Sequence, residues 1–366
     1  MNDVYHFDVV VIGAGVIGLA IANEMSKTYN NVLVIEKERS FGQHTSSRNS
    51  EIIHSGIYYP KETLKTKLCV EGNKLLYEFL IEHEIPHKRC GKLIVANSQE
   101  EEVVLENLYQ QGIENGVNDL SLINEKKIKY FEPSVKANKA ILAPSTGIVD
   151  SHSLMRKLEQ KSIEQDVLFS YNTEINNIFK KNDIYELTIT NEDAIIKTEI
   201  LINSAGLWSD QISAMSGINE YKLYWNKGEY FKTTRYKNMS KLIYPVPDPK
   251  GKYLGIHTVM DLDGNISFGP NSYYVDELRY DVNEENKKQF YNAINRYLDI
   301  EMQDLSPAMS GIRPKTQTKN ENFKDFVIKN ESKIGYNNFI NLIGIESPGL
   351  TCCLSISKHI KEIIEN

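Results

Sequence analysis

The chain has 366 residues, 41% of them hydrophobic, and a formal net charge of -7. That length supports a sizeable core and two domains, and the acidic balance gives no electrostatic reason to expect nucleic-acid binding. No apolar run is long enough for a membrane span, and Cys69, Cys90, Cys352 and Cys353 show neither a CxxC pair nor metal spacing, as expected of reduced thiols in a cytoplasmic protein without a bound metal.

Residues 7–12 read as an apolar strand, followed by Gly13-Ala14-Gly15-Val16-Ile17-Gly18, a helix, and an apolar strand at residues 32–35 closing on Glu36 and Lys37. This is a dinucleotide-binding fingerprint in its full strand–turn–helix–strand setting. Gly13 permits the tight turn, Gly15 lets a pyrophosphate approach the backbone, and Gly18 lets helix and strand pack closely. The helix start at Val16 and Ile17 offers free amides and a positive dipole end. Glu36 is placed to accept hydrogen bonds from an adenosine ribose and to repel a 2′-phosphate. The fingerprint begins so close to Met1 that no signal peptide is expected ahead of it.

A polar loop at 39–49 leads to the apolar stretch 52–59, which Pro60 ends. Apolar spacing predicts a helix over 64–84, a strand near 92–95 and a helix over 100–116, with irregular chain around Pro133 and Pro144. Residues 151–166 read as a helix with Ser151 as N-cap. Short strands follow at 167–169 and 172–175, then alternating runs at 185–190 and 194–197 and an apolar strand ending in Ser204-Ala205-Gly206. Residues 221–269 read as sheet, 284–298 as helix, 339–344 as strand and 350–365 as a final helix. The expected fold class is therefore α/β: a Rossmann-like nucleotide-binding domain of discontinuous segments (1–85, 145–215 and 310–366) and a mainly antiparallel α+β substrate domain (86–144 and 216–309).

Several blocks then carry a resemblance. Thr45-Ser46-Ser47-Arg48-Asn49-Ser50, Ile53-His54-Ser55-Gly56-Ile57-Tyr58-Tyr59, Asn203-Ser204-Ala205-Gly206-Leu207-Trp208, Lys227-Gly228-Glu229-Tyr230-Phe231, the segments 244–249 and 254–257, Ser310-Gly311-Ile312-Arg313-Pro314 and Ser347-Pro348-Gly349-Leu350-Thr351 follow one another in family order. Together they resemble the L-2-hydroxyglutarate dehydrogenase/oxidase family, within the D-amino-acid-oxidase-like FAD enzymes. The chain is shorter than is usual in that family. Glu51 stands where relatives tend to carry a small residue.

The resemblance implies FAD in an extended form, with Gly13, Gly15, Gly18 and Glu36 at the ADP half and the backbone of Ile175 at the adenine. Ala205 and Gly206 would pass the ribose and pyrophosphate, and Trp208 belongs to the same implied cofactor set. Thr45, Ser46, Arg48, Asn49 and Ser50 would lie along the pyrophosphate and flavin, and Gly311 belongs to the same implied cofactor set. Gly349, Leu350 and Thr351 open a helix whose amides can stabilise negative charge on the reduced ring. Arg313 matches a carboxylate-binding arginine, a role its guanidinium fork suits.

Oxidation of a 2-hydroxy acid also needs a proton acceptor, for which His54 and His257 both qualify. Tyr58, Tyr59 and Tyr230 can cover the flavin or donate to a carboxylate, while Cys352 and Cys353 read as small buried residues at a helix start. The expected activity is oxidation of a small L-2-hydroxy acid, with L-2-hydroxyglutarate foremost. Oxidation of an amino acid, oxidation of a glycerol-3-phosphate-like substrate and a flavin-binding subunit without its own substrate are the alternatives. An electron acceptor is implied, whether oxygen, a quinone or a carrier, and peripheral contact with the inner face of a membrane is compatible with the sequence.

Overall fold

The computed structural model describes residues 3–247 and 255–366, so the motif residues Asp248, Pro249 and Leu254 lie outside the described residues. The chain divides into two compact units. The first holds residues 1–47, 151–225 and 313–366, and the second holds 48–150 and 226–312.

In the first unit an eight-stranded sheet has a parallel core in the order Phe339–Ile343, Ala194–Asn203, Asp3–Ile12, Val32–Ile35 and Leu168–Ser170. Val10, Ile12, Leu33 and Ile35 enter one core with Ile212 of the helix Ser209–Met215. Their neighbours Val9, Val11 and Val34 are fully buried too, which explains why these strands are apolar throughout rather than alternating. The runs at 194–197 and 199–206, expected as separate strands, form one ten-residue strand, Ala194–Asn203. Its first half pairs antiparallel with Ile184–Ile189 and its second half parallel with Phe339–Ile343. The fingerprint helix Val16–Met25 packs on the helices Ser151–Ile163 and Gly349–Glu365. Ser151 is the first residue of its helix, and buried, rather than the expected N-cap.

The second unit is built on three small sheets. One joins Leu242–Pro245, Lys92–Ala96, Lys139–Ala143 and Ser121–Asn124. A five-stranded sheet contains Tyr224–Lys237, His257–Met260 and Asn265–Gly269, and a three-stranded one joins Ile52–Ile53, Gly147–Val149 and His87–Lys88. Residues 121–149, which include the chain around Pro133 and Pro144 read as irregular, hold three of these strands and the helix Glu125–Phe131. Asn124 caps that helix, accepting from the Lys127 N–H at 3.1 Å. The strands were missed because they are short, three to five residues each, too few for a periodic pattern to declare itself.

The expected domain boundaries shift accordingly. Residues 48–85 and 145–150 belong to the second unit, because Ile52–Ile53 pairs with Gly147–Val149 and Ile57 enters that unit's core. Residues 216–225 belong to the first, where the Tyr221 hydroxyl donates to Glu331 Oε1 at 2.6 Å.

Candidate cofactor and substrate sites

The fingerprint folds as its glycines require. Gly13 has φ +100, and a Cβ there would stand 2.7 Å from the Ser204 carbonyl oxygen; one on Gly18 would stand 1.9 Å from the Gly13 oxygen. Gly15 is the N-cap of Val16–Met25, with no side-chain cap and no acid in the first turn. Ser46 Oγ accepts from the Val16 N–H at 3.0 Å. Glu36 accepts from the Ala14 N–H at 2.8 Å through one oxygen and from the Glu38 N–H at 2.9 Å through the other, so each oxygen keeps a lone pair for a ribose hydroxyl. Gly206, at φ +56, has open space where a Cβ would lie. A helix start whose N-cap has no side chain and whose first turn has no acid, beside glycine backbone open to approach, fits a pyrophosphate.

Other sequence-predicted residues lie in the same unit. The Lys37 ammonium lies over the Trp208 ring, whose edge meets His44 with centroids 4.7 Å apart. Ile175 begins the strand Ile175–Lys181 with its side chain buried. The helix Gly349–Glu365 likewise starts without a side-chain cap or an acid in its first turn. Thr351, Cys352 and Cys353 are fully buried within it, and burial pushes the Cys353 thiol up to about 12. Arg313 is partly buried in the strand Ser306–Lys315, at the edge of this unit.

The second unit holds the remainder. Ser50 Oγ lies 2.8 Å from the Tyr230 hydroxyl, Asn49 Oδ1 accepts from the Glu51 N–H at 2.8 Å, and the Arg48 guanidinium lies over Tyr280. Gly311 has a packing reason of its own, since a Cβ there would meet the Arg48 carbonyl oxygen at 2.0 Å. Tyr59 is partly buried, and its carbonyl accepts from Asn115 Nδ2 at 2.9 Å.

His54, His257 and Tyr58 converge, and they do so around a residue the sequence reading passed over. Asn73 Nδ2, on the helix Leu64–Glu82, donates to the His54 carbonyl at 2.9 Å and fixes that turn of chain. His257 Nδ1 lies 2.9 Å from the Gly255 carbonyl, which can only accept, so Nδ1 carries the proton and Nε2 is the basic nitrogen of the neutral ring. That ring stacks on Tyr244 at 3.8 Å. Between the faces of Tyr58 and Tyr244 lies the ammonium of Lys92, 4.5 and 4.6 Å from the two centroids. Burial, with the charges of Lys92 and His257, pushes His54 down to about 3, and burial pushes Lys92 down to about 7. The signal for Lys92 was present in the sequence: it is the lone charge heading the apolar run Leu93-Ile94-Val95-Ala96.

A family model described as FAD dependent oxidoreductase matches residues 8–363. The mitochondrial L-2-hydroxyglutarate dehydrogenase of Arabidopsis thaliana is 37% identical, covering 96% of this chain and 82% of its own. A glycerol 3-phosphate dehydrogenase of Caloramator mitchellensis is 33% identical, covering 98% and 74%. Among solved structures, the dithionite-reduced, FAD-bound L-alpha-glycerophosphate oxidase of Mycoplasma pneumoniae matches with a TM-score of 0.88 and 26% identity, covering 99% of this chain and 95% of that one.

Proposed function

Because the chain belongs to the family of FAD-dependent oxidoreductases, we propose that it oxidises the CH–OH of L-2-hydroxyglutarate to the 2-oxo acid. The observation that carries the reading is the basic cluster of His54, His257 and Lys92: the charged groups that act most strongly on His54 are themselves bases. Such a cluster suits a substrate that brings negative charge and a proton to be removed. The relatives named for L-2-hydroxyglutarate support the same choice.

In this reading the first unit holds the cofactor, with Gly13, Gly15 and the amides of Val16 and Ile17 at the pyrophosphate and Glu36 at the ribose. The bound flavin supplies a two-electron acceptor for the hydride of the substrate carbon. Arg313 grips the α-carboxylate with its fork. One imidazole of the pair His54 and His257 takes the hydroxyl proton. The low basicity of His54 belongs to the protein without substrate, and an adjoining carboxylate raises it toward the working range. Ser50 and Tyr230 hold each other in place, and Tyr59 joins them in enclosing the substrate. Electrons then pass to an acceptor of the oxygen, quinone or carrier class. No helix among the described residues is long and apolar enough to cross a membrane; for a quinone acceptor the reading includes peripheral contact with the inner face of a membrane.

The test is anaerobic bleaching of the bound flavin by L- and D-2-hydroxyglutarate, L-amino acids and glycerol 3-phosphate. L-2-Hydroxyglutarate is expected to bleach it at the lowest concentration. Bleaching by glycerol 3-phosphate in its place would overturn the assignment in favour of the chemistry named for the Caloramator relative.

A further inference from the structure

Lys92 is the residue this fold has least structural reason to keep. It is 1% exposed at the start of the strand Lys92–Ala96, with Leu242 and Ala143 as its partners in the flanking strands. No carboxylate among the described residues pairs with it, and its described ammonium contacts are the faces of Tyr58 and Tyr244. A cation taken from water into such a place carries a large desolvation penalty, which two ring faces offset only in part. The same two tyrosines add a second, independent anomaly: both hydroxyls are buried without a hydrogen-bond partner. Their rings stack 6.5 Å apart. An ammonium and two hydroxyls are all donors, and an anion satisfies all three.

We propose that Lys92, with the hydroxyls of Tyr58 and Tyr244, forms the subsite for the anionic group at the far end of the substrate, and so sets the preference for dicarboxylic over monocarboxylic 2-hydroxy acids. This rests on the function proposed above, in which the substrate carries a second carboxylate beyond the α-carboxylate. The depressed basicity of Lys92 agrees with a site designed to be filled. The titratable groups set against it are Tyr58, Tyr244, His54 and Cys69, with His257 stacked on Tyr244. An anion in their midst restores the charged lysine.

The experiment compares wild-type holoenzyme with Lys92→Met and Tyr244→Phe, using L-2-hydroxyglutarate, L-2-hydroxybutyrate (one carboxylate fewer) and sn-glycerol 3-phosphate. Loss of a charge-assisted contact predicts that Lys92→Met lowers kcat/KM for the dicarboxylate about 50-fold more than for the monocarboxylate, mostly through KM. Tyr244→Phe, which keeps the ring, should shift the same ratio about fivefold. Wild-type KM for the dicarboxylate should rise about tenfold per pH unit above neutrality, and Lys92→Met should abolish that slope. The substrate-free Lys92→Met holoenzyme should also melt at a higher temperature than wild type, because a buried charge has been removed.

Equal losses on both acids, or a lower melting temperature with no change in the ratio, would make Lys92 structural while leaving the function intact. If L-2-hydroxyglutarate fails to bleach wild-type flavin, the functional reading fails and takes this subsite with it. A shift confined to glycerol 3-phosphate would assign the three donors to a phosphate and overturn the dicarboxylate.

Discussion

Glu51 shows how one residue records a tension between sequence and backbone. It adopts a left-handed conformation at φ 55, held by Asn49 Oδ1 on its N–H and by the Val149 N–H on its carbonyl at 3.0 Å. Glycine takes that conformation without strain, and a side chain such as that of glutamate does not. Glu51→Gly is therefore expected to stabilise the protein by about 1 kcal/mol in urea denaturation, the relieved strain exceeding glycine's added entropy loss. Gly18 is the opposite case. Its Cβ would fall 1.9 Å from the Gly13 oxygen, so Gly18→Ala should cost about 3 kcal/mol and leave purified protein with little yellow colour, both read from one sample by denaturation and visible absorbance. Full stability and full flavin content in that variant would contradict the geometry.

At the scale of elements, the second unit is pinned by a single carboxylate. Glu229, fully buried on the strand Tyr224–Lys237, accepts from Tyr273 and the Asn283 N–H through Oε1, each at 2.8 Å. Through Oε2 it accepts from Asn271 at 3.1 Å and Asn286 at 2.6 Å. Four donors from the segment 271–286 thus converge on one strand residue, which accounts for an acid standing in Lys227-Gly228-Glu229-Tyr230 without a catalytic part. Glu229→Ala would orphan them all, and a loss of about 3–5 kcal/mol is expected. Hydrogen exchange should show the segment 271–286 opening first; uniform protection there would show that other contacts hold it. The first unit has a counterpart in Asn203, Asn341 and Glu331. Asn203 Nδ2 donates to Asn341 Oδ1 at 2.8 Å and Asn341 Nδ2 to Glu331 Oε1 at 3.0 Å, joining the two strands behind the cofactor loops.

For the whole molecule, the partly buried His54 and the buried Lys92 set a pH dependence of stability whose sign is fixed. His54 is pushed from its ordinary 6.5 to about 3 and Lys92 from 10.5 to about 7. Between the folded and unfolded values the unfolded chain binds the extra proton, so stability falls as pH drops from 10.5 to 7 through Lys92 and again from 6.5 toward 3 through His54. Lys92→Met should flatten the alkaline limb and His54→Gln the acid one, as read from chemical denaturation across pH; unchanged limbs would mean that neither group is as buried as the structure has it. The sequence by itself determined what is local. The strand–turn–helix–strand fingerprint, the glycine positions and the apolar parallel strands are specified by neighbours within about 30 residues, and periodicity reports them directly. Only the tertiary structure decided what depends on distant chain: that residues 48–85 leave the nucleotide-binding unit, that Ala194–Asn203 is one strand with three partners, and that Lys92 meets Tyr58 and Tyr244, on which His257 stacks. Those groups stand up to 203 positions from His54 along the chain. No spacing rule reaches that far, and burial, which turns an ordinary lysine into an unpaired internal cation, exists only once the sheets have closed around it.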